Sequence, residues 1–354
     1  MIIPIITDTH FGVSKDDDFF IQHQFRFIEN VFFPYLQKNE IKTIFHLGDF
    51  WDKRKLLNIN TLNIVCERFF KPLHDMGVTL YIFVGNHDVY YKNTNKVNSL
   101  QFLTAMYDNI VFVDDFCDVT VGNKTFSFFP WINNGNYDDA LKFIETSKGS
   151  VACGHFETKG FEMTRGQFAD SGIDKNLFKK YDRVFSGHFH IPSKQGNFEY
   201  IGNPFYLSWA DWDTRKSFTL YDTEKNTVDY VLNEDFIYQR VNYADIESVH
   251  TFDYSKYKDK IVECVVNDFE VSNKVEFRVF VETMQQMCYS FDIVVARDIS
   301  VSAKIEESVK IDAAGQVDTE TTITSCVESL DVGGLDATRL KNMIQNLFKR
   351  ATNE

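Results

Sequence analysis

The sequence has no paired cysteines and no long apolar segment. Its six cysteines are scattered without a C-x-x-C pair, so neither a disulfide framework nor a zinc knuckle is expected. Reduced thiols of this kind indicate a cytoplasmic protein. No apolar run approaches the roughly 20 residues that a membrane-spanning helix needs. Residues 1–6 are apolar but lack a basic region, which indicates a buried strand rather than a signal peptide.

Basic residues are scarce relative to acidic ones. The chain has 37 Lys and Arg against 51 Asp and Glu, a net charge of −14. Because non-specific binding to nucleic acid depends on Lys and Arg, this balance disfavours a protein that coats itself with DNA. Two bound divalent cations would make the electrostatic potential positive at one site. If the substrate is DNA, a partner is expected to supply much of the basic surface.

The chain has 354 residues and is rich in phenylalanine, with 35 Phe. This length predicts one large domain and a smaller addition. The first half alternates short β-rich runs with helical stripes of apolar residues. Strands are predicted over 2–6, 43–47 and 78–84, and helices over 19–38 and 60–76. This order implies a parallel sheet covered by helices.

From residue 110 the predicted strands come closer together, apart from a helix near 137–147. They are expected at 110–113, 117–121, 125–129, 150–153, 183–186, 198–202, 217–222 and 227–232. Together with the first half they predict an α/β (α+β sandwich) architecture, in which two β-sheets pack face to face with helices outside.

The composition changes after the first domain, which is expected to cover 1–233. Residues 234–300 predict a small α+β domain. Residues 301–334 carry acidic groups and no aromatic side chain, which is typical of a solvated, flexible linker. Residues 335–354 contain a last amphipathic stripe and are expected to form a C-terminal helix. Such a tethered helix suits docking into a partner.

Polar motifs follow the apolar runs of the first domain. They are Asp8-Thr9-His10, Gly48-Asp49, Gly85-Asn86-His87-Asp88, Gly154-His155 and Gly187-His188-Phe189-His190. Ligand sites in open α/β sheets form at the carboxyl ends of the strands. Residues two apart in extended backbone point the same way, as in the first and last motifs. The series therefore predicts a metal site made of carboxylates, an amide and imidazoles.

Such a ligand set suits phosphodiester hydrolysis. This reaction needs a hydroxide and neutralisation of the phosphate charge, which two metals about 3.5–4 Å apart can supply. Mixed nitrogen and oxygen ligands favour Mn²⁺, Fe²⁺ or Zn²⁺ over Ca²⁺, and sequence does not choose among them.

The order of these motifs resembles the calcineurin-like metallophosphoesterases. Within that superfamily the chain is similar to the SbcD/Mre-type DNA repair nucleases, and among these to the phage recombination endonuclease subunits. The resemblance rests on Gly85-Asn86-His87-Asp88, Gly154-His155-Phe156-Glu157 and Tyr200-Ile201-Gly202-Asn203-Pro204, and covers about 1–233. It implies the metallophosphoesterase fold, with a small capping, DNA-selecting domain at 234–300.

The resemblance also implies roles for individual residues. One metal would be held by Asp8, His10, Asp49 and His190. The other would be held by Asp49, Asn86, His155 and His188, with Asp49 as the bridge. His87 would stabilise charge at the phosphate or protonate the leaving oxygen. Asp52 and Asp88 are expected to support the ligands from behind, and the metal pair is expected to be Mn²⁺.

The implied function is a two-metal DNA nuclease subunit acting as a 3′→5′ exonuclease on duplex and an endonuclease on single strands. It would work with an SbcC-type ABC ATPase in recombination and double-strand-break repair, and the terminal helix would dock on that ATPase. A homodimer would form through helix 60–76, joined by Leu100, Phe102 and Leu103. Two alternatives stay open: a small-molecule phosphodiesterase or phosphatase of the same fold, and a mainly structural subunit of the ATPase complex.

Other polar residues fit no motif. His23, His46, His74 and His250 are expected to be structural or on the surface. Residues 16–18, three consecutive aspartates, predict a solvated helix start rather than a metal cluster.

Overall fold

The computed structural model describes residues 1–266 and 275–295. The chain divides into two compact units, Met1–Phe236 and Ile237–Glu354. The linker expected at 301–334 and the helix expected at 335–354 lie outside the described residues. Their roles, and that of the small domain, stay predictions.

The first sheet of unit Met1–Phe236 has six strands in the order β14-β13-β1-β2-β3-β4. They are β1 (Ile2–Ile6), β2 (Thr43–His46), β3 (Thr79–Phe83), β4 (Ile110–Val113), β13 (Ser217–Asp222) and β14 (Thr227–Leu232). The first four run parallel, as predicted, and β13 and β14 extend the sheet antiparallel.

The second sheet also has six strands, in the order β11-β12-β10-β7-β6-β5. They are β5 (Cys117–Val121), β6 (Lys124–Phe129), β7 (Val151–His155), β10 (Arg183–Gly187), β11 (Ser193–Gln195) and β12 (Phe198–Tyr200). The four central strands run parallel, and the two edge strands run antiparallel to their neighbours. A small hairpin of β8 (Glu162–Thr164) and β9 (Gln167–Phe168) stands apart from both sheets.

The two sheets enclose a core rich in phenylalanine. The ring of Phe45 on β2 lies 5.1 Å from Phe126 and 5.2 Å from Phe128 on β6, and Phe83 on β3 lies 4.7 Å from Phe128. These side chains are fully buried. Central strands buried on both faces read as continuous apolar runs, and this explains why the sequence shows runs rather than strict alternation here.

Helices cover the outer faces of the sheets. They are α2 (Asp18–Phe27), α3 (Phe33–Lys38), α4 (Ile59–Val65), α5 (Lys71–Asp75), α6 (Leu103–Met106) and α7 (Tyr137–Thr146), and α2 is preceded by a short turn, α1 (Val13–Asp16), whose backbone is left-handed. A π-helical turn joins α2 to α3 and another joins α4 to α5, next to Pro34 and Pro72. Because proline cannot donate a helical hydrogen bond, the wider turn accommodates it without ending the helix. The predicted fold of two packed sheets flanked by helices is confirmed.

Unit Ile237–Glu354 contains a three-stranded parallel sheet and a helix in its described part. These are β15 (Tyr238–Asn242), β16 (Ile261–Val266), β17 (Ser290–Val295) and α8 (Val275–Met287). Val262 and Cys264 on β16 pack with Phe280 and Met284 on α8 as a core of their own. Every helix of the described part of the chain is too short or too polar to cross a membrane.

Candidate metal centre

The five predicted motifs meet at one edge of the paired sheets. The loops after β1, β2 and β3 carry Asp8, Asp49 and Asn86 from the first sheet. His155 ends β7 and pairs with Gly187 at the end of β10, just before His188. Because all these strands point the same way within their sheets, their carboxyl ends deliver the ligands to a common place.

Three side chains form one half of the centre, the amide half: Asn86, His155 and His188. The Asn86 Oδ1 atom lies 2.9 Å from His155 Nε2 and 2.8 Å from His188 Nδ1. Asp49 Oδ2 lies 3.3 Å from the same His155 Nε2 atom. His155 is fully buried, and Asn86 and Asp49 are nearly so.

The other half, the carboxylate half, is formed by Asp8, His10 and His190. The Nε2 atoms of His10 and His190 are 3.1 Å apart. His10 Nε2 is also 4.0 Å from Asp8 Oδ1 and 3.8 Å from Asp49 Oδ2. Asp49 Oδ2 is therefore the atom that lies between the two halves.

The donor atoms of both halves fit divalent cations. His155 Nδ1 donates to the carbonyl of Leu47 at 2.8 Å, which leaves Nε2 facing acceptor oxygens of Asn86 and Asp49. The lone pairs of these facing atoms can be shared only with a proton or a metal ion that lies between them. The same holds for the facing nitrogens of His10 and His190. Neutral imidazoles and carboxylates are ligands that first-row divalent metals accept.

Burial and charge act in opposite directions on these groups. Burial alone would lower the pKa of His155, but the charges of Asp49 and Asp8 outweigh it and raise that pKa to about 9. Burial would raise the pKa of Asp49, yet the neighbouring His155 and His87 hold it well below its usual value. Burial lowers the pKa of His188 to about 3. The centre therefore keeps a negative Asp49 carboxylate and a neutral His188.

The loops that carry the candidate ligands have a strained backbone. Asp8, His10, Asp49 and His188 have φ values of 50°, 45°, 53° and 90°. Non-glycine residues rarely adopt this left-handed region, and such strain concentrates at functional sites. Gly85 permits the close approach of two loops, since a Cβ there would lie 2.2 Å from Asp49 Oδ1.

Asp88 joins the loops behind the ligands. Its carboxylate accepts from the backbone N–H groups of Gly85 at 2.9 Å, Phe50 at 3.1 Å and Trp51 at 3.2 Å. Burial, together with the charge of Asp49, raises the pKa of Asp88 to about 7. The side chain makes no direct contribution to the two halves and instead fixes the Asp49 loop against the Asn86 loop.

His87 lies beside the centre and is oriented by Asp52. The His87 Nδ1 atom donates to the backbone carbonyl of Asp52 at 2.6 Å, and its backbone N–H donates to Asp49 Oδ1 at 2.7 Å. Its ring lies 4.8 Å from that of His10. One ring atom of His87 is close enough to His10 and Asp49 to join a metal cluster with them. The Asp52 carboxylate lies 3.8 Å from His10 Nδ1.

Two residues that support the centre were not assigned to it from the sequence, although His46 was expected to be structural or on the surface. His46 accepts from the N–H of Gly48 at 3.3 Å through Nδ1, so its Nε2–H donates to Thr9 Oγ1 at 3.0 Å. This fully buried imidazole ties the Asp8–His10 loop to the Asp49 loop, and burial lowers its pKa to about 3. Trp131 follows the carboxyl end of β6, and its ring lies 5.2 Å from His188 and 5.8 Å from His155. Its position after a predicted strand was the available signal.

The aspartates at 16–18 are not simply solvated. Asp16 binds Lys53 Nζ and Thr61 Oγ1, each at 2.8 Å, and Asp17 caps α2. The predicted helix start is confirmed, since α2 begins at Asp18, but Asp16 is not solvated as expected because it contacts Lys53 and a residue of α4.

Residues 1–192 match the family of calcineurin-like phosphoesterases. "Exonuclease subunit 1" of Enterobacteria phage T4 is 30% identical over 296 residues, which cover 84% of each chain. The chain belongs to the calcineurin-like phosphoesterase family. Members of this family use divalent metals, and the two halves of the centre supply the corresponding donor atoms.

More distant proteins also match. A nuclease subunit of SbcCD from Staphylococcus saprophyticus is 26% identical over 182 residues, 44% of this chain and 48% of that protein. Among solved structures, an archaeal phosphodiesterase aligns with a TM-score of 0.33 and 15% identity, covering 66% of this chain and 100% of that one. A purple acid phosphatase from yellow lupin aligns with a TM-score of 0.38 and 13% identity, covering 66% and 52%.

Proposed function

We propose that the protein is a metal-dependent DNA nuclease subunit. It cleaves duplex DNA as a 3′→5′ exonuclease and single strands as an endonuclease, in recombination and double-strand-break repair. The observation that carries the proposal is the position of Asp49 Oδ2, 3.3 Å from His155 Nε2 and 3.8 Å from His10 Nε2, as expected of a bridging carboxylate. Two relatives that are nuclease subunits support nucleic acid as the class of substrate.

Two divalent ions, Mn²⁺ in this proposal, would share Asp49. One would bind Asp8, His10, Asp49 and His190, and the other Asp49, Asn86, His155 and His188. When bound, such ions lower the pKa of an attacking water and neutralise phosphate charge. The chain's own residues prepare for this, since the Leu47 carbonyl fixes the His155 tautomer and the Asp88 carboxylate fixes the loops.

His87 acts on the leaving group. The Asp52 carbonyl holds its Nδ1–H, so the ring is fixed with Nε2 free to carry a proton. The residue is partly exposed, which lets a substrate reach it. In the charged form, His87 Nε2 would donate to the departing oxygen, a role typical of general acids.

The decisive experiment measures nucleotide release from linear duplex DNA in Mn²⁺ and in EDTA. Replacement His87→Ala should reduce turnover by about 10²–10⁴-fold while both ions stay bound, as counted by native mass spectrometry. His74→Ala, at an exposed histidine that pairs with Asp108 at 3.3 Å, is the matched control. Unchanged turnover in the His87 variant would contradict the role assigned to this residue. A wild-type chain that cleaves no DNA with any divalent metal would contradict the proposed function.

A second candidate is a small-molecule phosphodiesterase, which the net charge of −14 favours. A panel of mononucleotide esters set against DNA separates the two, because only the second candidate predicts higher kcat/KM on the esters. Capture of an ATPase by a chain without activity on either substrate would favour the structural-subunit alternative.

The proposed partner is an SbcC-type ABC ATPase, bound through residues 335–354. Deletion of this segment should abolish co-purification with the ATPase and leave Mn²⁺ binding intact. A chain that still binds the ATPase would contradict this assignment.

The apolar stripe expected to form the homodimer on helix 60–76 is largely buried within the subunit, so we propose that the homodimer instead uses Leu56, just before α4, and Ile59 at its start. Leu100 and Leu103 are fully buried within the subunit, so they cannot join the interface as expected. Leu56 and Ile59 are 74% and 81% exposed, and they are the apolar side chains available there. Light scattering should show a dimer that Ile59→Asp converts to a monomer, whereas Val275→Asp, at a site that is 74% exposed, should not.

A further inference from the structure

The turn after β10 carries a ligand of each half of the centre, and both its ends are fixed. His188 begins the turn with a φ of 90°, a conformation that needs support. Its backbone N–H donates to both carboxylate oxygens of Asp8, at 3.1 and 3.0 Å. This end is therefore held by a residue of the centre itself.

A buried lysine holds the other end. Lys216 stands just before β13 and is fully buried at Nζ. Its ammonium group donates to the backbone carbonyl of His190 at 3.3 Å and to the side-chain oxygens of Asn203 and Asp211. The three protons of the ammonium group thus have three acceptors, and one of them belongs to a predicted metal ligand.

The acceptors of Lys216 are themselves fixed. Asp211 accepts from the backbone N–H groups of Leu207 and Ser208, each at 3.0 Å. The Asn203 amide donates to the carbonyl of Phe205 at 3.0 Å, so its oxygen is oriented towards the lysine. Lys216 therefore connects the His190 carbonyl to a rigid support rather than to a mobile side chain.

Gly202 confines the same carbonyl from another side. A Cβ at this position would lie 2.9 Å from the His190 oxygen and 2.6 Å from Pro192 Cγ, and the φ of Gly202 is 72°. Both the space and the backbone conformation demand glycine here. The His190 carbonyl is consequently confined by Gly202 and accepts two hydrogen bonds, from the Lys216 ammonium group at 3.3 Å and from the backbone N–H of Asn203 at 3.4 Å.

Stability is a poor explanation for this ion pair. Removing two charges from water is costly, and apolar replacements of buried ion pairs are often neutral or stabilising. What an apolar pair could not supply is a hydrogen bond that fixes the direction of the His190 carbonyl. Because the backbone direction sets where the imidazole points, this contact controls one ligand of the carboxylate half.

We propose that Lys216 is a positioning residue that sets His190 for the ion of the carboxylate half and leaves the ion of the amide half unaffected. This inference rests on the proposed two-metal function. The turn is divided between two supports: His188 is held through Asp8, and His190 is held through Lys216. Loss of the lysine should therefore release His190 and leave His188 in place.

The test counts and ranks bound Mn²⁺ ions in the full chain by native mass spectrometry and calorimetric titration. The main variant is Lys216→Met with Asp211→Asn, which leaves no unpaired buried charge and keeps an oxygen for the Leu207 and Ser208 N–H groups. One ion should bind about 10–100-fold more weakly, the usual effect of losing a supporting contact, and the other should be unchanged. Gly202→Ala is a second variant that disturbs the same carbonyl and should give the same selective loss.

Arg183→Met is the matched control. Arg183 lies at the opposite end of β10, where its guanidinium group holds the carbonyl of Asn226 at 2.6 Å. The variant removes a similar side-chain contact with a backbone carbonyl from the same strand and leaves the metal centre unchanged, so both ions should bind normally. A thermal melt of every variant shows whether it is folded.

Combination with ligand variants identifies the ion. Adding His190→Ala to the Lys216/Asp211 variant should weaken binding no further than His190→Ala alone. Adding His188→Ala should remove the remaining ion. Two unchanged ions in the folded Lys216 and Gly202 variants, or equal weakening of both ions, would overturn the inference while the proposed function stands. A wild-type chain that binds fewer than two ions would overturn both.

Discussion

The two halves of the candidate metal centre are built differently. In the amide half, Asn86 Oδ1 contacts both His155 and His188 within 2.9 Å, and the His155 ring is fixed by the Leu47 carbonyl. In the carboxylate half, the nitrogens of His10 and His190 face each other at 3.1 Å. There, His10 Nδ1 has no hydrogen-bond partner among the described residues, and Asp52 Oδ1 stays 3.8 Å away.

This difference separates two ways of preparing ligands. In the amide half, the ligand side chains contact one another and the Leu47 carbonyl fixes His155, so little freedom is left to lose when an ion binds. The carboxylate half is held instead through the His190 carbonyl, which accepts from Lys216, while the contact of Asp8 with the His188 N–H group links the two halves. We therefore expect the ion of the amide half to bind more tightly and that of the carboxylate half to exchange more readily. The following variants break or sharpen this comparison.

Loss of the shared ligand should have the largest effect. Asp49→Ala removes the oxygen that lies between the halves, so both ions should be lost and DNA cleavage should fall by at least about 10⁴-fold. Elemental analysis of the purified variant, beside His74→Ala, measures the ions. Retention of two ions would show that the halves do not share this carboxylate.

The next effect distinguishes the halves directly. His188→Ala should deplete the ion of the amide half, and His190→Ala that of the carboxylate half, and each should stop cleavage. Titration with Mn²⁺ should leave the tight site in the His190 variant and only the weaker site in the His188 variant. If both variants lose the same ion, the division of the turn is wrong.

Asp88→Asn should affect both halves equally. The new amide keeps the shape but cannot accept from all the N–H groups of Gly85, Phe50 and Trp51, and unsatisfied buried donors cost about 1–3 kcal/mol each. Chemical denaturation should show a loss of about 3 kcal/mol, and both ions should weaken together. Selective loss of one ion would place Asp88 in a single half.

The amide half should also respond to pH. In the metal-free chain the pKa of His155 is raised to about 9, so below that pH an ion must displace its proton. Affinity for this ion should fall about 10-fold per unit as the pH drops below 9, because the ligand form is the neutral imidazole. Calorimetry at pH 7.5 in two buffers with different heats of ionisation should show release of about one proton. Binding without proton release would contradict the charged His155.

Trp131→Leu should have the smallest effect and only on the amide half. The indole ring packs 5.2 Å from His188 and 5.8 Å from His155, so its loss loosens two ligands without removing any donor atom. We expect the tight ion to weaken by less than about 10-fold, below the usual range for supporting hydrogen bonds. Tyr35→Leu, which removes an aromatic ring packed 5.5 Å from Phe218 and away from both halves, is the control for general destabilisation.

The sequence predicted the sheet architecture and the segments that meet at one edge of the sheets, because both depend on local signals. An apolar run followed by Gly-Asp or Gly-His indicates where a parallel strand ends and which polar side chain follows it. Asp8, Asp49 and His155 could be located in this way, since any loop at the carboxyl end of a parallel strand reaches the same edge. The supporting role expected of Asp88 also depended on its place beside Asn86.

Other features were decided by the tertiary structure. Lys216 is 26 residues from the carbonyl that it holds, and His46 is 37 residues from Thr9. Nothing local distinguishes either residue from an exposed lysine or an ordinary core histidine. Likewise, Leu100 and Leu103 are fully buried, although their sequence suited an interface. Contacts of this kind depend on how the sheets and loops pack, whereas each polar motif lies in one strand and the loop that follows it, and can be recognised from the local sequence.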